Sequence, residues 1–449
     1  MLNKIAYLIL YPLLKVFVWH KNYRILLFIF FLIYIVIDMI RKNFEGNKLI
    51  LFGLDIYIIL ILISLVFTKF HILRTLKIIP RFIAVFILVY FGLILFQVFN
   101  FVSPDLITTI SGLRNYILPL TGILLGTVIA HEWEKNDYLK LSNILIITSF
   151  ILIIIAIVQL MVDPQILGKQ AAQFLLPSEH SVHSWGNDVS VTLTSGTFAS
   201  SKRFGKFLLF SFIIIMAIRK TYDVNSKKIF WLFFIGIIIS ASREALMLFF
   251  LVNMVLFWKN KLSYYLMITV LFIILISYYL ISLSDQTHNL FTFYLSTPED
   301  LINRIQLLFP IFNINFSNDH IYLGLGLGKY GQDTVLSPNI LEYSKILVTQ
   351  MFYNGYYFVD SGMTKTIIEF GVYFGGFILL FYIYIIFYGI RLYMKSIAFK
   401  YLWLIFFVWL IMYFKLHSTM NDIYISYIYF LVLGFMISQY KIKRKKYEN

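Results

Sequence analysis

Residues 229–258 read IFWLFFIGIIISASREALMLFFLVNMVLFW, and whether they make one membrane helix or two decides the fold of this chain. The only charges in the run are Arg243 and Glu244, inside SASREALM (240–247). Facing lipid near the bilayer centre, each would cost roughly 3 kcal/mol. The run is too long for one untilted span of about 20 residues and short for two full ones. Positive charge arbitrates. The basic segments are KFHILRTLKIIPR (69–81), RKTYDVNSKK (219–228), WKNK (258–261), RLYMKSIAFK (391–400) and KIKRKK (441–446). A break at Ala241–Arg243 into two short helices puts all of them on the cytoplasmic side, as topology rules require. A single span moves WKNK and everything after it to the opposite side. Two short helices are therefore expected, with SASRE as a tight outer-side turn that protein or a wet cavity must surround.

The rest of the composition agrees. The chain has 449 residues, 60% hydrophobic and only 13% charged, with mean hydropathy +0.82. Soluble domains are nearer one quarter charged, so this is an integral membrane protein. Its formal charge of +16 reflects Lys and Arg placed between apolar runs, and nucleic-acid binding is not expected. Cysteine is absent, which excludes disulfides and thiolate metal sites. No cleavable signal peptide is expected, because Pro12 and Lys15 interrupt the first apolar run.

Apolar runs suited to spans lie near 25–40, 49–68, 82–100, 113–130, 142–162, 204–218, 262–282, 365–390, 399–415 and 422–439. With 228–258 as two helices, about twelve spans result and both termini are cytoplasmic. The opening segment 2–18 reads as an interfacial helix. The main outer loops are 163–203 and a long one at about 283–364. In STPEDLINRIQLLFPIF (296–312), Ser296 or Thr297 caps, Pro298 sits near the first helical position, and Glu299 and Asp300 enter the first turn. Leu301, Ile305 and Leu308 share a face, predicting a helix along the membrane surface. There is no internal repeat or soluble linker, so 1–449 is expected to form one transmembrane domain. The fold class is all-α, a polytopic integral membrane protein.

On this topology the outer side collects cations near span ends: Arg114 in SGLRNYILP, Lys202 and Arg203 in GTFASSKRFG, Arg243 in SASRE and Arg304 in LINRIQ. Any single one has a plain explanation in snorkelling to headgroups. Arg114 and Arg243 resist it better, since their neighbours are apolar or small. Several arginines on one side of a bundle suit a phosphate or diphosphate, which guanidinium binds as a bidentate fork. The candidate carboxylates are Asp360, in YYFVDSGMTKTIIEFG just before the span at 365–390, and Glu369 inside that span. For Glu369 an intramembrane role or a cation partner is expected. Glu244 reads as a local partner for Arg243. GLGLGKYG (324–331) lacks the GKS or GKT of a phosphate-binding loop and reads as a tight glycine turn. His180 and His183 come without HExxH or a nearby carboxylate set, so no metal site is expected. KIKRKK reads as a contact to anionic lipid.

The order of GLRNYILP (112–119), GTFASSKRFGKFLLF (196–210), SASREALMLFFL (240–251), a long outer loop with INRI and GLGLGKYG, and DSGMTKTIIEFGVYFGGFILL (360–380) resembles the superfamily of O-antigen and capsular-polysaccharide polymerases and O-antigen ligases. The resemblance runs from about residue 110 to 380. It implies a GT-C-like membrane glycosyltransferase at the outer face of a bacterial cytoplasmic membrane. The implied substrate is a polyprenyl-diphosphate-linked oligosaccharide. Arg114, Arg203, Arg243 and Arg304 match the arginines thought to hold the diphosphate, with no metal or other cofactor. A chain-length regulator and membrane lipids are the candidate partners. Ligases carry a His-Asn type motif where this chain has Asp360-Ser361, a departure that favours polymerase. Ser200 and Ser201 also stand where an Asn often follows the GTF motif.

The expected mechanism has the arginines neutralise the departing diphosphate. Asp360, or failing that Glu369, accepts the proton of the attacking sugar hydroxyl. Two other readings compete: a ligase that transfers finished glycan to another acceptor, and a flippase for the same lipid-linked sugars. A flippase predicts related halves, and the lopsided outer loop argues against that.

Overall fold

In the computed structural model, residues 58–59, 81–99, 106–161, 201–240, 242–257, 320–327, 362–393, 397–415 and 423–448 are described. The interfacial segment 2–18, the spans near 25–40 and 262–282, most of 49–68, the surface helix opening at Ser296, and Arg304 and Asp360 lie outside them.

Every regular element among the described residues is a helix: α1 Arg81–Val98, α2 Leu106–Glu132, α3 Lys135–Met161, α4 Ser201–Thr221, α5 Lys227–Ile239, α6 Arg243–Phe257, a single turn α7 His320–Leu323, α8 Gly362–Tyr393, α9 Ile397–Lys415 and α10 Ile423–Glu448. Among them, Gly112–Glu132, Lys135–Gln159 and Lys365–Ile385 are long and apolar enough to cross a membrane. Large apolar side chains stay exposed on outward faces, including Leu88, Ile147, Phe150, Ile151, Leu380 and Phe387. In water such a surface would aggregate; against acyl chains it is at home.

The run 229–258 is two helices. α5 has 13 residues and α6 has 15, and the chain breaks at 240–242. The serines of SAS explain where it breaks. Ser240 Oγ donates to the Ile237 carbonyl (2.7 Å), closing the end of α5. Ser242 Oγ accepts from the Ala245 N–H (3.4 Å), an N-cap bond for α6. Both serines are buried, so a return through the protein interior satisfies its own polar groups.

α4 is the central helix. Phe204, Leu208, Leu209, Phe212, Ile213 and Ile215 have no exposure, and α3, α5, α6 and α9 all pack on it. Phe212 meets Phe249 of α6 (4.8 Å) and Phe233 of α5 (5.8 Å), an aromatic wedge that holds the two short helices to α4. α2 and α10 pair closely and in parallel: Gly122 lies on Leu431, Gly126 on Leu431 and Phe435, and Gly434 on Ile123. Gly122 and Gly126 form a G-x-x-x-G step whose missing side chains let the two backbones touch.

The helices share two ends. At one, Arg219 donates from Nη2 to Asn143 Oδ1 (2.9 Å) and from Nη1 to the Asn225 carbonyl (3.0 Å). Tyr138 packs there on Trp133, Tyr222 and Phe435. That end gathers Lys135, Arg219, Lys220, Lys227 and Lys228, and α10 runs on beyond it through 441–446. The basic segments 219–228 and 441–446 thus share one pole. The opposite pole holds the N-terminal part of α2, the start of α4, the α5–α6 break and the start of α8.

Candidate functional site

The second pole is organised by a break in α8. Gly371 takes φ +80° and ψ 171°, dividing the helix into a short opening half and a long second half. Few residues other than glycine adopt that conformation. The break frees the carbonyls of residues 368–370 from the helical ladder, and neighbouring segments take them up. Leu325 N–H donates to Ile368 O (2.9 Å), and Gly326 N–H donates to Glu369 O (3.1 Å). From α1, the buried Gln97 amide donates to Leu323 O (2.6 Å) and Phe370 O (3.5 Å). This part of GLGLGKYG is indeed a tight turn, with φ +85° at Gly324 and +97° at Gly326. Its placement is new: it is buried against a helix break inside the bundle. Non-helical backbone at membrane depth survives only when satisfied in this way.

Gln97→Leu would delete the amide and leave two carbonyls short of a donor, about 1–3 kcal/mol for each group so orphaned. The expected result is a lower thermal midpoint in detergent, with faster deuterium exchange at the Leu325 and Gly326 amides.

Beside the break lies a buried cluster. Glu369 is fully buried on the opening half of α8, and Lys365, one turn earlier, places Nζ 3.9 Å from Glu369 Oε1. The Tyr116 hydroxyl of α2 donates to Glu369 Oε2 at 2.5 Å. Phe370 packs edge-on against Tyr116 (5.0 Å), and Thr366 Oγ1 donates to Gly362 O (2.9 Å). Asn115 is buried next to Tyr116.

Of the sequence-identified residues, Glu369 is therefore engaged on both carboxylate oxygens. Arg114, two positions before Tyr116 on α2, is half-buried at the same pole. Arg203, also half-buried, sits in the first turn of α4. A Cβ on Gly205 would fall 2.5 Å from Ser242 Cβ, so this turn abuts the start of α6, where Arg243 is the first residue. The starts of α2, α4 and α6, bearing Arg114, Arg203 and Arg243, share one pole. Arg304 and Asp360 lie outside the described residues.

Four buried polar residues escaped the sequence reading. Lys365 precedes Glu369 by four positions, a helical ion-pair spacing that was available. Gln97 is a lone amide in an apolar span, a signal of an internal partner. Lys206, in the central helix, is 3% exposed, and an ammonium buried among Phe and Leu is itself a signal. Tyr116 had none, because one tyrosine in an aromatic-rich chain does not stand out. Comparison with family models, curated proteins and solved structures finds no match to this chain.

Proposed function

We propose that this chain is a polysaccharide polymerase, a membrane glycosyltransferase of about twelve spans and GT-C-like architecture. It joins polyprenyl-diphosphate-linked oligosaccharide repeat units at the outer face of a bacterial cytoplasmic membrane. The basic pole faces the cytoplasm, as does each terminus. The motif order from GLRNYILP to DSGMTKTIIEFG supports the family, and one structural observation carries the site. The N-terminal parts of α2, α4 and α6, with Arg114, Arg203 and Arg243, share the pole opposite the basic one, around the α5–α6 turn and the break in α8.

Helix lengths add a physical reason for the puzzle in SASRE. At 1.5 Å per residue α5 is about 20 Å long, against a hydrocarbon core of about 30 Å. With Lys227 and Lys228 at the cytoplasmic interface, the Ser240–Arg243 turn lies about 10 Å below the outer surface. An arginine there is worth keeping when it meets an anion entering from outside. A lipid diphosphate is such an anion, because its tail lies in the bilayer and its charge at that level.

In the proposed reaction, the hydroxyl of the incoming unit attacks the anomeric carbon of the growing chain. The bond from that carbon to the diphosphate oxygen breaks, and polyprenyl diphosphate departs with the electron pair. Arg114, Arg203, Arg243 and Arg304 neutralise the developing charge, and Asp360 takes the hydroxyl proton. Arg243→Ala is expected to abolish long polymer while membrane abundance stays near wild type. Near-normal polymer would remove Arg243 from the site.

A discontinuous helix such as α8 also favours a transporter, here a flippase for the same lipid-linked units. Gene deletion separates the readings by the glycan left behind. Single units at the outer face indicate a lost polymerase, units trapped inside a lost flippase, and long polymer still on its lipid a lost ligase.

A further inference from the structure

The Lys365–Glu369–Tyr116 cluster narrows the role of the carboxylate inside the span. A general base must come within about 3 Å of the hydroxyl it deprotonates, or reach it through one water. Glu369 has no exposed surface, and both of its oxygens face protein groups: Lys365 Nζ at 3.9 Å on one, and the Tyr116 hydroxyl at 2.5 Å on the other. Its main-chain carbonyl is held as well, by the Gly326 N–H at 3.1 Å. Two positions later the helix breaks at Gly371. The opening half of α8 therefore has no helical continuity to orient it, and its place is set by sideways contacts.

We infer that Glu369 is a positioning residue: through Tyr116 it pins the opening half of α8 to α2, the helix that carries Arg114, while Lys365 on the same half balances its charge. The proton acceptor of the reaction is another group. A proton acceptor presupposes the glycosyltransferase reading; the pinning does not. Charge balance makes the pinning specific. Removing either ion alone takes a counter-charge away from the other, whereas removing both together keeps the pair neutral and of similar shape. In the pair K365M/E369Q the amide oxygen still accepts from Tyr116.

The experiment compares wild type, E369Q and K365M/E369Q, purified in detergent and reconstituted with a lipid-linked repeat unit. E369Q is expected to melt well below wild type and to yield at least about tenfold less polymer. K365M/E369Q is expected to regain most of the melting temperature and to polymerise within about threefold of wild type. The acidic limb of its rate–pH profile should match that of wild type. A double variant that is folded as well as wild type yet makes no polymer would show that the carboxylate itself is needed, overturning the positioning role. A double variant that melts no higher than E369Q would overturn the pairing. If wild type makes no polymer, the polymerase reading fails instead, and the melting comparison still decides the pinning.

Discussion

Gly371→Ala is expected to leave little folded protein in detergent. Two independent penalties coincide at this position. The backbone conformation of φ +80° and ψ 171° belongs to glycine, and another residue held there costs on the order of 1–3 kcal/mol. A Cβ would also lie 2.5 Å from the Gly324 amide nitrogen and closer still to the Tyr322 carbonyl, both of them backbone atoms that have no rotamer to escape into. Overpacking of that kind adds about 1–3 kcal/mol. The sum, roughly 2–6 kcal/mol, is a large fraction of the ~5–15 kcal/mol that holds a typical domain folded. Gly376, five residues later in the same helix, has nothing within 4 Å of its Cβ position and serves as the control. Gly376→Ala should melt within about 0.5 kcal/mol of wild type, or slightly above it, because alanine is the better helix former. Size-exclusion profiles and thermal unfolding of the two variants make the comparison. Equal behaviour would mean that α8 does not break at Gly371.

The second large effect is expected at the α2–α10 contact. Gly126→Leu would drive a side chain into the Leu431 carbonyl and the Phe435 amide. Since both are main-chain groups of a helix, relief requires the helices to separate, and that exposes the whole parallel interface. A loss of about 3 kcal/mol or more is expected, read as a lower melting temperature and a shift to aggregate. Gly92→Ala, whose Cβ position is open, should change neither. Unchanged melting of Gly126→Leu would exclude the close G-x-x-x-G pairing.

Much of this architecture could be read from the chain alone. Apolar run length and the placing of Lys and Arg respond to the bilayer, which acts on each segment locally and much the same way in every membrane protein. For that reason the break at Ala241–Arg243 was legible: a charge pair between two apolar runs has few tolerable positions. The Gly371 break was harder to see. IIEFGVYFGG reads as an ordinary span with several glycines, and only the backbone of a segment some fifty positions earlier shows which one departs from the helix. The Gly122–Gly126 step could have been seen, since small residues four apart in an apolar helix mark a close helical contact.

The candidate site divides along the same line. Arg114 and Arg243 stood out because a cation among apolar or small neighbours is costly unless something receives it, and Arg203 because it falls in the same order of motifs. By itself, then, the sequence determined a helical membrane protein, its basic pole and the places where polar residues interrupt apolar runs. Each of these follows from transferring a short segment between water and hydrocarbon. Only the tertiary structure decided which groups Glu369 meets. Its partner Tyr116 lies 253 positions away, and the two meet because glycine contacts and aromatic wedges set how the helices pack. Hydropathy constrains the depth of a residue, but not which neighbour it finds there. That choice belongs to side-chain geometry across helices, where a few ångströms separate a proton acceptor from a buried ion pair.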